Sequence, residues 1–207
     1  MYSNIDASKL GKGWQRAGKD VCYYQNSMKK KTQGHYFTLT FSIQFTNDND
    51  CVYFAHSYPY TYSDLIRYIG RLESDPKKKT RFRKKEFCKT VAGNPVDMMI
   101  ITTFGSDFEE MKKRKGVVIS SRVHPGETNS SFMMKGVIDY LLGPSLGARM
   151  LRDTFVFKIV PMLNPDGVIN GNTRCNLTGV DLNRSWLTPD KKLHPTIYHM
   201  KQLLVDF

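Results

Sequence analysis

Three short apolar runs, Met98 to Phe104, Val117 to Ser121 and Phe155 to Val160, constrain the fold of this chain most. Each is nearly continuous in apolar residues and about the length of one strand, as expected for strands buried on both faces. Helical patterns lie around them. Ser63 can cap one whose apolar positions are Leu65, Ile66, Ile69 and Leu72, with Asp75-Pro76 as its stop. Thr128 to Leu142 is a second, with Phe132, Met133, Val137, Tyr140 and Leu141 on its apolar side and Gly143-Pro144 beyond it. Ile197, Met200, Leu203 and Leu204 mark a third, with Pro195 in its first turn. Strands alternating with helices predict an α/β fold over residues 58–207: a largely parallel mixed sheet with covering helices. Lys77 to Lys85 reads as a basic linker within it.

The first 57 residues follow a different rule. From His35 to Phe45 the alternation is strict, with Phe37, Leu39, Phe41, Ile43 and Phe45 on one side. Period two predicts a half-buried antiparallel strand. Asn47 to Asp50 supplies a turn, Cys51 to Ala55 a returning partner strand, and Cys22 to Tyr24 a further short strand. Residues 1–57 are therefore expected to form a small antiparallel β module.

Composition narrows the setting. Apolar residues make up 40% of the chain, with 12 Phe and 11 Tyr, which favours a packed core over disorder. No run approaches the roughly 20 apolar residues of a membrane span, and Met1 to Leu10 has no signal-peptide core. Cys22, Cys51, Cys88 and Cys175 form no CxxC pair and read as reduced thiols. These features together predict a cytoplasmic protein without membrane contact. The formal charge is +12, gathered at Lys29 to Lys31, Lys77 to Lys79, Arg81 to Lys85 and Lys112 to Lys115. Such a field attracts polyanions. No nucleic-acid motif accompanies the basic runs, so acidic protein tails are the expected partner and nucleic acid is disfavoured.

The chemistry lies in four motifs. His124-Pro125-Gly126-Glu127 follows the Val117 to Ser121 run, and ligand sites in such sheets gather beyond the carboxyl ends of strands. The Pro-Gly bend lets an imidazole and a carboxylate converge, and zinc accepts both. By itself H-x-x-E is weak, arising by chance in roughly one in eight chains of this composition. Asn164-Pro165-Asp166-Gly167 supplies turn chemistry after Phe155 to Val160. Asn183 and Arg184, in Asp181-Leu182-Asn183-Arg184, pair an amide with a guanidinium fork suited to a carboxylate. Arg174, ten residues before Arg184, is of a type that can stabilise a developing oxyanion where a carbonyl is attacked.

In order and spacing these motifs resemble the zinc metallocarboxypeptidases, and within them the cytosolic branch that trims glutamates from tubulin. Ser121 to Trp186 carries most of the likeness, which extends upstream through Asp20 to Tyr24 and Tyr58 to Ser63, and downstream through Leu193 to His199. The resemblance implies His124 and Glu127 as ligands of one Zn2+ ion, Arg174 as the residue facing the scissile carbonyl, and Asn183 and Arg184 as holders of the substrate's C-terminal carboxylate. It implies promoted-water hydrolysis of glutamylated proteins, with tubulin as a partner and the cytoplasm, nucleus or microtubules as the location. Residues 1–57 then correspond to part of an N-terminal β-sandwich-like module, and 58–207 to the N-terminal part of the catalytic domain. One departure stands out. The family's third zinc ligand, a later histidine, and its water-activating glutamate have no counterpart: His194 and His199 match other positions, and no Glu follows Glu127. These 207 residues are therefore expected to be a fragment of weak or no activity. The alternative is a non-catalytic binding module for acidic tails.

Overall fold

The computed structural model describes residues 1–105 and 107–207, and its contacts divide into two units, Met1–Tyr58 and Pro59–Phe207. The first unit runs β1 (Tyr2–Ser3), α1 (Asn4–Leu10), β2 (Lys19–Lys29), β3 (His35–Ser42) and β4 (Val52–Tyr53). β2 and β3 form an antiparallel pair, with Tyr23 opposite Leu39 and Gln25 opposite Phe37. The expected return strand after the Asn47 to Asp50 turn does not pair with β3. It pairs instead with β1, placing Tyr53 opposite Tyr2. The Asp50 carboxylate explains the choice, because it accepts from the Ser3 hydroxyl and from the Ile5 N–H at 3.1 Å. Alternation in β3 is as read from the sequence, yet Phe37, Leu39 and Phe41 stay about half exposed.

The second unit starts with α2 (Tyr62–Ser74). Its N-cap is Thr61 in place of Ser63: Thr61 Oγ1 accepts from the Asp64 N–H at 3.1 Å, and the Asp64 carboxylate accepts from the Thr61 N–H at 2.8 Å. This reciprocal pair satisfies two of the donors left open at a helix start. Leu65, Tyr68, Ile69 and Leu72 are buried, whereas Ile66 faces outward. The stretch read as a basic linker is structured. Lys77 to Lys79 lie in α3 (Pro76–Lys79), and β5 (Phe82–Lys89) follows as an edge strand. Phe82 and Cys88 anchor it in the core while Arg83, Lys84 and Lys85 stay exposed, a common way for edges to resist further pairing.

Then come β6 (Pro95–Ile101), α4 (Phe108–Lys112), β7 (Lys115–Ser120), α5 (Thr128–Leu141), α6 (Leu146–Thr154), β8 (Phe155–Val160), α7 (Pro165–Asn170), a 3-10 turn (Leu182–Arg184) and α8 (Pro195–Val205). The described sheet has the order β5-β6-β8-β7. It is mixed: β7 and β8 run parallel, while β5/β6 and β6/β8 are antiparallel. The parallel character read from continuous apolar runs thus rests on one pairing. Continuous apolarity reports burial of both faces, not strand direction. Register sends Phe82, Ile101, Phe157 and Val117 to one face, against α2 and α5. Met98, Ile100, Val118 and Val160 go to the other, against Ile197 and Met200 of α8.

The apolar side assigned to α5 is also corrected. Ser131, Met134, Ile138 and Leu141 are buried, and Phe132, Met133, Val137 and Tyr140 are exposed. The helix carries apolar residues nearly all round, so packing selects the face where the pattern could not. All four cysteines are free, with Cys88 buried.

Candidate metal centre

Because β7 and β8 are parallel, the loops that leave them emerge side by side. Their ladder continues past the strand ends: Ser121 N–H donates to Val160 O at 3.2 Å, Leu163 N–H to Ser121 O at 2.9 Å, and Asn164 N–H to Arg122 O at 3.2 Å. The His124 loop and the Asn164 loop are thereby zipped together. Asn164 caps α7 by accepting from Gly167 N–H at 3.0 Å, and its Nδ2 donates to Val123 O at 3.2 Å, beside His124. Asp166 is buried and accepts from Thr90 Oγ1 (2.6 Å), Ala92 N–H (3.0 Å) and Asn94 Nδ2 (2.8 Å), which clamps the β5–β6 turn to α7. The motif read as a plain turn is a junction of three segments.

Two glycines permit this closeness. A Cβ on Gly126 would lie 2.8 Å from Thr173 O, the acceptor of the Gly126 N–H. One on Gly167 would lie 2.3 Å from Pro125 Cγ. The Pro-Gly bend is therefore wedged between α7 and the segment leading to Arg174.

On this bend His124 is buried and its ring is held at both nitrogens. Nδ1 lies 2.9 Å from Glu127 Oε1, and Nε2 lies 3.0 Å from Asp181 Oδ1. Asp181 also accepts from Arg174 Nε at 2.7 Å and from Asn183 N–H at 2.9 Å. Burial pulls the Asp181 carboxyl upward, but the Asn183 N–H, His124 and Arg174 outweigh it and hold it below the usual carboxylate value. Asp181 is thus a carboxylate set against Nε2 and braced by two further donors, and it leaves Nδ1 facing Glu127. Nδ1 and Glu127 Oε1, 2.9 Å apart, are an imidazole and a carboxylate that one divalent cation could share. A ring anchored through its far nitrogen is how ligating histidines are commonly oriented.

Sequence reasoning passed over Asp181, although it heads the motif that carries Asn183 and Arg184. Its signal was position: an acid two residues before an Asn at a turn. Asp181 is not a third ligand, because it occupies the opposite ring nitrogen. Among the described residues no group of three His, Cys, Asp or Glu converges to hold a metal. His194 accepts from Asp190 N–H, and His199 packs edge-on against Phe87. The two-ligand pair fits zinc chemically, with imidazole and carboxylate convergent and an anion behind the ring.

Arg174 is half exposed and reaches the centre through Asp181. Asn183 Oδ1 accepts from Trp186 Nε1 at 3.1 Å. Arg184 is exposed and forms no ion pair among the described residues, its contact being Asn183 O at 3.5 Å. Asp181 ties His124, Arg174 and the Asn183 backbone together and His124 meets Glu127, while Arg184 follows Asn183 on the 3-10 turn.

The zinc carboxypeptidase family profile matches residues 66–201, and the chain belongs to that family. It is 46% identical over 204 residues to cytosolic carboxypeptidase 3 of Bos taurus, a match that takes in 99% of this chain and 20% of that protein. It is also 46% identical over 204 residues to cytosolic carboxypeptidase 2 of Xenopus tropicalis, covering 99% of this chain and 21% of the relative. The chain thus spans about a fifth of the length of these curated relatives. Among solved structures, a metallo-carboxypeptidase from Burkholderia cenocepacia aligns with a TM-score of 0.63 and 30% identity, over 72% of this chain and 39% of that one. No helix among the described residues is long and apolar enough to cross a membrane.

Proposed function

We propose that this chain carries the first two zinc ligands and the substrate-carboxylate clamp of a cytosolic metallocarboxypeptidase that removes glutamates from acidic protein tails, glutamylated tubulin among them. The observation that carries the reading is His124, anchored at Nε2 by Asp181 and facing Glu127 through Nδ1. His124 and Glu127 would hold the metal. Zinc, when bound, supplies Lewis acidity toward a water and a carbonyl. Asp181 keeps the ring oriented, and Arg174 donates toward the oxygen that gains charge. Asn183 and Arg184 receive a free C-terminal carboxylate, which limits cleavage to chain ends. The net charge of +12 favours acidic substrates, with binding weakened by salt. In this reading Met1–Tyr58 is part of an N-terminal β module and Pro59–Phe207 belongs to the catalytic domain.

For these 207 residues alone, binding without turnover is the specific expectation, since no third ligand converges among the described residues. Peptide binding tests the clamp. A glutamate-rich peptide with a free C-terminus should bind, and Arg184→Ala should weaken it by roughly 10-fold or more, as expected for loss of a charge-assisted pair. The same peptide amidated at its C-terminus should be insensitive to the substitution. Equal effects on both peptides would remove the carboxylate assignment, and glutamate release at the rate of a longer relative would remove the expectation of binding without turnover.

A further inference from the structure

Arg122 is buried, with 3% of its surface exposed, and its backbone adopts φ 56°, in the left-handed region that non-glycine residues rarely enter. Its guanidinium has no carboxylate within ion-pair distance among the described residues. It donates through Nε to Pro125 O at 2.8 Å and through Nη1 to Ser131 Oγ at 2.8 Å. Ser131 is itself 4% exposed and lies on the buried face of α5. The Arg122 carbonyl, in turn, accepts from Asn164 N–H at 3.2 Å.

A buried, unpaired guanidinium is costly, as is a strained backbone, and both persist only where the surroundings enforce them. Burial pulls this group below the ordinary arginine value, with Tyr60 and Glu127 acting the other way. For a purely packing role, an apolar side chain would serve at lower cost. What an apolar side chain cannot do is join an acceptor within the ligand pair to one beyond it. Pro125 sits between His124 and Glu127, and Ser131 sits four residues past Glu127, one turn into the helix that Glu127 starts. The rigid fork of arginine spans both, whereas a lysine ammonium is a single point donor without that fixed geometry.

We infer that Arg122 is a positioning residue for the metal centre, a buried brace that sets the separation and direction of His124 Nδ1 and Glu127 Oε1. This rests on the metal-centre reading above and adds a residue that does not touch the metal. The bend is held from outside by Gly126 N–H on Thr173 O and from beneath by Asn164 Nδ2 on Val123 O. Arg122 holds it from within, joining Pro125 O to Ser131 on the buried face of α5.

The test is the apparent Zn2+ affinity of the 207-residue chain, measured by competition with a chromophoric chelator, with the Co2+ visible spectrum and thermal unfolding recorded on each protein. The set is the parent, Arg122→Met, Arg122→Lys, Ser131→Ala and His124→Ala. His124→Ala should abolish the site. Arg122→Met should weaken zinc binding by about 10–100-fold, the usual consequence of losing support behind a ligand. Arg122→Lys should unfold closer to the parent than Arg122→Met without restoring the affinity or the Co2+ band shape. Ser131→Ala keeps the arginine and loses one bond, so about a 2–10-fold loss is expected. That variant decides the matter if Arg122→Met does not fold. Affinity unchanged in Ser131→Ala, or in a folded Arg122→Met, while lost in His124→Ala, overturns the brace alone. Affinity unchanged in every variant, His124→Ala included, overturns the metal-centre reading and the brace with it.

Discussion

Asp181→Asn tests the site's wiring because it alters charge while keeping shape. Oδ1 of Asp181 serves two donors, His124 Nε2 at 3.0 Å and Asn183 N–H at 2.9 Å, and Oδ2 serves Arg174 Nε at 2.7 Å. An asparagine can keep its oxygen toward His124 only by turning its NH2 toward Arg174, where two donors oppose each other. Arg174 is half exposed and can swing into water, so that loss is small, about 0–1 kcal/mol as for other exposed pairs. The larger loss is the anion behind the His124 ring, a hydrogen bond to a charged group worth roughly 1.5–3 kcal/mol. For zinc this corresponds to about 10–100-fold weaker binding. Asp181→Ala should be worse still, since Nε2 then lacks an acceptor, whereas Arg174→Ala should change zinc affinity about fivefold or less. Chelator competition at constant pH, with unfolding curves as control, reads all three. The reasoning fails if Arg174→Ala weakens zinc as much as Asp181→Asn, or if Asp181→Asn binds as the parent does.

Three other outcomes follow from particular contacts. Asp64 is held below its ordinary carboxylate value: burial opposes this, but the Thr61 N–H and hydroxyl and then Arg67 prevail. Its contribution is therefore complete above the unfolded value of 3.8 and fades as pH falls through the lower folded value. Asp64→Ala should cost about 1 kcal/mol in urea unfolding at pH 7, with the difference from the parent shrinking below pH ~4. Asp166→Ala leaves three donors without their charged acceptor and should cost on the order of 3–5 kcal/mol, while Lys112→Ala at an exposed pair should cost under about 1 kcal/mol. Burial pushes the Cys88 thiol up to about 12, so iodoacetamide followed by peptide mapping should label exposed Cys22 and Cys51 in the native state and Cys88 only on unfolding.

Much of this was legible before any coordinates. The three apolar runs became β6, β7 and β8, Pro195 opens α8 as expected, and His124 with Glu127 does sit past a strand end. What escaped has physical causes. β5 hid in a basic stretch because an edge strand needs only Phe82 and Cys88 inside. The buried face of α5 was ambiguous in a helix apolar on most sides, and it includes a polar Ser131 that accepts from Arg122. β4 found β1 through one carboxylate, Asp50, whose partners are 45 and 47 residues away. Asp181 and Arg122 went unread for a similar reason: both act through other residues, and spacing marks the groups that touch a ligand more readily than those that orient them.

Anomalous diffraction at the zinc edge, on crystals of the chain grown with zinc, addresses the central assignment most directly. The account predicts one strong peak about 2.0–2.2 Å from both His124 Nδ1 and a Glu127 carboxylate oxygen, with Nε2 still on Asp181. An ion bound elsewhere, with His124 and Glu127 left as a simple hydrogen-bonded pair, would contradict it.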